Sequence, residues 1–88
     1  HTMQASFKVF ELCKAMAEEG NPNSVSDAGV GVLAARAAVL GAGLNVKINA
    51  SGLKDRETAD KLVSEANELI KKANELEAEI MKIVEDKL

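Results

Sequence analysis

Residues 20–50, GNPNSVSDAGVGVLAARAAVLGAGLNVKINA, leave this chain few ways to fold, because they read as one helix made almost wholly of small and apolar side chains. If that helix starts at Ser24, Asp27 and Asn45 stand 18 residues apart, about five turns, and share a face. Gly31, Ala34, Ala38, Ala42 and Asn49 fall within roughly 60° of the same line at about 100° per residue. The result is a bald stripe with a carboxylate at one end and two amides at the other. Gly29, Gly31, Gly41 and Gly43 each lower the helix propensity by roughly 1 kcal/mol relative to alanine, so tertiary contact must hold the segment. Small residues four apart, such as Ala34 with Ala38 and Ala37 with Gly41, let another helix approach closely.

The flanking segments are helical as well. From about residue 4 to 19, Met3, Phe7, Phe10, Cys13 and Ala17 recur at helical spacing, with Val9, Leu12 and Met16 widening the face. Gly20 and Pro22 mark its end. The second helix is expected over 24–49, with Ser24 and Asp27 forming an arrangement related to the capping box. Asn49 to Gly52 read as a turn, and Asp55 as the cap of a third helix over 55–87. In that helix Leu62, Ala66, Leu69, Ala73, Leu76, Ile80 and Ile83 alternate spacings of four and three, a heptad seam broadened by Val63, Ile70 and Val84. At 1.5 Å per residue it spans about 50 Å, whereas a compact chain of this size has a radius of gyration near 12 Å and a diameter of roughly 30 Å. The third helix therefore overshoots a compact domain. The fold expected is all-α, three helices forming part of an oligomeric helical bundle.

Composition narrows the function. With 88 residues, 47% hydrophobic and 2% aromatic, the core must be built from Leu, Ile, Val, Met and Ala, and so small a chain gains from a partner. The formal net charge of -3 and the lack of basic runs or aromatic platforms exclude a nucleic-acid binder. No Cys/His metal spacing occurs, and no metal is expected. The lone Cys13, among apolar neighbours, reads as a buried reduced thiol of a cytoplasmic protein. The apolar run Val30 to Val46 is short, glycine-rich and interrupted by Arg36, so no membrane span is expected. Residues 1–2, including the sole histidine His1, read as a cloning remnant, and residues 3–88 as one helical unit.

GNPNSVSDAGVG, AARAAVLGA, LNVKIN and a long charged terminal helix together resemble the C-terminal portion of the formimidoyltetrahydrofolate cyclodeaminase and methenyltetrahydrofolate cyclohydrolase family. The resemblance covers nearly all of the chain after the first residues. It implies an all-helical dimeric enzyme acting on folate one-carbon units, with a tetrahydrofolate derivative as substrate and no bound prosthetic group. It also implies that the acidic residue of the chemistry lies upstream of this segment, in a missing N-terminal half of the domain, so that the catalytic residues are unknown here.

The cyclodeaminase reaction needs a general acid to expel ammonia from a tetrahedral intermediate, and the cyclohydrolase reaction needs a base for the water that adds to the methenyl bridge. Asp27, the acidic residue inside the matching motif, reads first as a cap in the first helical turn, and otherwise as an anchor for the pterin ring or a proton carrier. Asn45 and Asn49 pair with a ligand or with a facing helix. Asn23, Ser24 and Ser26 read as turn and cap chemistry or as the lining of a folate pocket. Arg36 and Lys47 point away from the bald stripe and read first as an interhelical salt bridge or solvated groups, and otherwise as contacts for the folate glutamate tail. Two functions remain in view: a folate-enzyme segment supplying one wall of a pocket and an oligomer interface through helices two and three, or a non-catalytic, self-associating helical module.

Overall fold

A computed structural model describes residues 2–88, with side chains from Phe7 onward; His1, read as a cloning remnant, lies outside the described residues, as does the side chain of Met3. Three helices follow one another: α1 (Thr2–Glu19), α2 (Pro22–Ser51) and α3 (Arg56–Lys87). Each expected helix is present, and α2 is longer than its expected span at both ends.

The joint between α1 and α2 is set by Gly20, whose φ of 83° is a left-handed conformation that a side chain would strain. The cap of α2 differs from expectation. Asn21, in extended backbone, caps the helix: its Oδ1 accepts from the amides of Asn23 at 3.0 Å and Ser24 at 3.5 Å. Pro22 occupies the first helical position, where its missing N–H and fixed φ cost nothing. Ser24 and Asp27 therefore sit inside the helix, and Asp27 lies beyond the first turn. Replacing Asn21 with alanine is expected to cost about 1 kcal/mol, or roughly 4–8 °C in melting temperature, read by thermal unfolding in circular dichroism.

The joint between α2 and α3 forms differently from the expected turn at Asn49. The helix continues through Ser51, whose hydroxyl donates to the Ile48 carbonyl at 2.6 Å, and Gly52 closes it. Asp55 caps α3 as expected. Its carboxylate accepts the Thr58 hydroxyl at 2.8 Å and the amides of Glu57 and Thr58 at 3.1 and 3.3 Å. Those bonds, the Thr58 hydroxyl first, hold its pKa below the usual aspartate value.

Helices α2 and α3 form an antiparallel hairpin. Contacts of Gly29 with Val84 and of Arg36 with Asn74 fix the register. That register sets Val46 level with Ala66, Val39 with Ala73 and Val32 with Ile80. The buried line of α3 is Ala59, Ala66, Ala73, Ile80 and Val84, so alanines seven apart form the central seam. The expected seam holds at Ala66, Ala73 and Ile80; of its other members, Leu62 is exposed, while Leu69, Leu76 and Ile83 are half-buried on its flank. Alanine lets the helices come close, and at the level of Leu76 and Ile80 the larger side chains border a third layer.

That layer is α1, which packs antiparallel to α2 through Cys13 and Gly31; a Cβ on Gly31 would stand 2.8 Å from the Cys13 sulfur. Phe10, Cys13, Ala17, Val25, Val32 and Ile80 belong to the resulting core. Phe7 stacks on Phe10 with ring centroids 5.6 Å apart, and the Lys72 ammonium lies 4.9 Å from the Phe7 centroid. The 18 residues of α1 cover only about half of the hairpin, so residues from about 40 to 70 form a two-helix end.

The overall dimensions are 51 × 16 × 14 Å and the radius of gyration is 15.2 Å, well above the 12 Å of a compact chain. Helix α3 does not protrude alone, because α2, at 30 residues against 32, runs beside nearly all of it. By length and composition α2 is apolar enough to cross a membrane, contrary to the shorter run read from sequence, although it is also the central packed helix here.

Candidate functional site

The residues singled out for ligand contact all lie on α2, at two separate ends. Asn23, Ser24, Ser26 and Asp27 occupy its first two turns, just beyond the Asn21 cap. Ser24 is half-buried and the other three are exposed. Asn45 and Asn49 occupy its last turns, about 27 and about 33 Å from Asp27 at 1.5 Å per residue, and both are exposed. No single small ligand bound to one chain spans that distance. The face is shared as the spacing predicted, but the fold of one chain does not bring its polar ends together.

Neither end is engaged within the chain. Among the described residues, Asp27, Asn45 and Asn49 take part in no side-chain hydrogen bond or ion pair, so the amides are not paired with a facing helix of the same chain. Ser24 donates its backbone amide to Asn21, consistent with the turn chemistry expected of this segment.

The bald stripe between the ends is open over much of its length. Ala34 and Ala38 are exposed, Ala42 is half-buried, and Gly31 is the point where α1 docks. Beside the stripe, Val30 is 69% exposed, and Leu44 and Ile48 are each 59% exposed. An apolar side chain left in water forgoes roughly 1.5–3 kcal/mol of burial, so this face is unsatisfied in the single chain. A helix that is apolar all round is built to be covered all round.

Arg36 and Lys47 lie on the far side of α2, as predicted. The Arg36 Nε donates to the Asn74 Oδ1 at 2.7 Å, a bond between helices that keeps the guanidinium engaged along α3. Sequence inspection did not single out Asn74, which stands among the charged residues of α3 and bears no mark of its role.

Among the described residues, three of the hollows are lined by residues other than the six candidates. One of about 210 Å³ between α1 and α3 is floored by Phe10, Leu76 and Ile80 and edged by Phe7, Lys14 and Lys72. Another, of about 410 Å³, is lined by Leu40, Gly41, Leu44, Lys47 and Ile70; a third, of about 140 Å³, is lined by Val46, Leu62, Glu65, Ala66 and Leu69. The last two lie at the two-helix end. Among the described residues no group of three or more His, Cys, Asp or Glu side chains converges to hold a metal ion. Cys13 is buried as expected, and desolvation raises its pKa, which keeps the thiol protonated and unreactive.

The arrangement thus offers hydrogen-bonding groups, one carboxylate and an extended apolar surface, without a base and an acid in mutual contact.

Comparison with known proteins agrees with the motif run. The profile of the formiminotransferase-cyclodeaminase family matches residues 1–68. A methenyltetrahydrofolate cyclohydrolase of Methylorubrum extorquens is 42% identical over 81 residues, which are 92% of this chain and 39% of the relative. The chain therefore spans about two fifths of that relative's length. No solved structure matches it. The chain belongs to the formiminotransferase-cyclodeaminase family.

Proposed function

We propose that this chain is the C-terminal segment of a folate one-carbon enzyme, in which it supplies one wall of the folate pocket and part of the subunit interface. The observation that carries the proposal is the 42% identity to a methenyltetrahydrofolate cyclohydrolase across 92% of the chain. That relative favours cyclohydrolase over cyclodeaminase chemistry. In such a reaction water adds to the methenyl carbon and a base takes one of its protons; the remaining hydroxyl proton then moves to the leaving nitrogen as one carbon–nitrogen bond opens and a formyl group is left on the other nitrogen.

The role assigned to this chain is binding. Asp27 accepts from the pterin amino and ring N–H groups, with Asn23 and Ser26 beside it, and the bald stripe offers flat apolar surface to the ring. The proton carrier comes from the remainder of the longer polypeptide, and the substrate, a tetrahydrofolate derivative, needs no resident cofactor. A cytoplasmic location accompanies this reading.

Calorimetric titration with a stable formyl-tetrahydrofolate is the test. Saturable binding is expected to the unaltered chain, or to the chain supplemented with the remaining part of the relative. Asp27→Asn is expected to weaken binding at least about tenfold, a loss near 1.4 kcal/mol, while leaving the melting temperature in place. No binding in either form would overturn the proposal, and weakened binding accompanied by lost stability would return Asp27 to a structural role.

A further inference from the structure

The hollow between α1 and α3 is lined by none of the α2 residues considered above, and its walls join an aromatic floor to a cation that no carboxylate of the chain neutralises. Helices α1 and α3 run parallel, each antiparallel to α2, and stand level at Phe7 with Lys72 and at Lys14 with Glu79. Those two levels are about 10 Å apart along the helices, which sets the length of the hollow. Phe10 and Ile80, both fully buried, form its floor with Leu76. The two aromatic side chains of the whole sequence, Phe7 and Phe10, both line it. Their centroids are 5.6 Å apart and their planes tilted by 37°, an offset arrangement to which a third ring can add in the same manner.

The two lysines of the rim are held differently. Lys14 is engaged by Glu79, Nζ to Oε2 at 3.5 Å. Lys72 has Glu68 four residues before it and Glu75 three residues after it, the spacings at which helical charges pair, and Glu11 across the hollow. Among the described residues it forms an ion pair with none of them, and residues 1–6 contain no acidic side chain. Its ammonium lies instead 4.9 Å from the Phe7 centroid, where both residues line the hollow. A cation resting on a ring face keeps its full charge for an anion whose apolar part covers the same rings.

We propose that this hollow binds a small aryl monocarboxylate, its ring seated on Phe10, Leu76 and Ile80 and its carboxylate on the Lys72 ammonium. Size sets the first limit: the volume of about 210 Å³ is below the roughly 300–1,000 Å³ of sites for drug-sized ligands, so the occupant is about one ring with a short chain. Charge sets the second. Glu11 stands about 6 Å along α1 from the level of Phe7, so the ligand carboxylate is directed to the Lys72 end and the ring toward the Lys14 end. A second carboxylate would meet Glu11, or Lys14 already taken by Glu79, which excludes dicarboxylates.

The test is an NMR titration of the isotope-labelled chain with phenylacetate, with its neutral isostere phenylacetamide and with the dianion phenylmalonate. Phenylacetate is expected to give saturable amide shifts confined to residues 7–14 and 72–80, with a dissociation constant of about 1 mM. Phenylacetamide and phenylmalonate are expected to bind at least ~5-fold more weakly. Lys72→Gln changes an exposed side chain and leaves the core intact; it is expected to weaken phenylacetate ~5-fold and to leave phenylacetamide unchanged. Lys61→Gln makes the same charge change at the two-helix end and is expected to alter none of the three. Shifts that do not saturate by about 20 mM, shifts spread equally over the exposed apolar residues of α2, or equal binding of phenylacetate and phenylacetamide would overturn the proposal. The titration uses no folate and residues apart from the α2 face, so its failure leaves the folate proposal standing.

Discussion

Phe10→Ala is expected to destabilise the chain by about 3–5 kcal/mol, the largest effect of any truncation in the core. Phe10 is the largest fully buried side chain, 1% exposed, and it joins the Phe7 ring to Ile80 and the other residues that α1 places against the hairpin. A chain of 88 residues has a total stability of about 4–13 kcal/mol, so the loss takes a large share of it. The cavity cannot close easily, because Cys13 already presses on Gly31 and α1 has little freedom to move toward α2. Urea unfolding followed by circular dichroism reads the effect. Hydrogen exchange should locate it first in α1, since α2 and α3 keep their own seam beyond the reach of α1. A change under 1 kcal/mol would mean that α1 contributes little to the fold. Phe7→Ala makes the comparison: Phe7 is only half-buried, and its loss removes the stacking and the Lys72 contact with a smaller burial change.

Much of this architecture was legible before any coordinates. Gly20 and Pro22 marked the first joint, Asp55 marked the start of α3, and the uninterrupted small-residue run gave a helix needing cover. The cap of α2 differs because Ser24 and Asp27 have the spacing of a capping box, while the competing signal, Asn21 before a proline suited to the first helical position, satisfies the helix's orphan amides three residues earlier. Ala66, Ala73 and Ile80 of the expected α3 seam are buried, whereas its leucines, included because large apolar residues dominate a periodicity count, lie on the flank. In the fold, Ala59, Ala66 and Ala73 are buried on the seam, and Leu62, Leu69 and Leu76 flank it. The candidate site was legible as a face and not as a place. Spacing shows that Asp27 and Asn45 point the same way, but a face 27 Å long has no pocket until something covers it, and no periodicity in one chain names the cover.

The close approach of α2 and α3 makes the second large effect. Ala73 is fully buried, at 0% exposure, level with Val39 of the facing helix. Ala73→Leu adds three carbons where the helices are nearest, and overpacking of this kind costs about 1–3 kcal/mol, even though leucine forms helix nearly as well as alanine. Forcing the helices apart also stretches the neighbouring bond from Arg36 to Asn74, at 2.7 Å, which the added bulk has no means to replace. Ala78→Leu on the exposed side of the same helix is expected to be neutral within about 0.5 kcal/mol, which separates packing from propensity. The decisive measurement is the double variant. If Val39 and Ala73 face each other, Val39→Ala, which alone costs stability by opening a cavity, should recover part of the loss in the Ala73→Leu chain. The expected coupling is about 0.5–3 kcal/mol, read from urea unfolding of all four chains. Strict additivity would show that the two positions do not meet, and the register drawn from Gly29 with Val84 and Arg36 with Asn74 would have to shift along the hairpin.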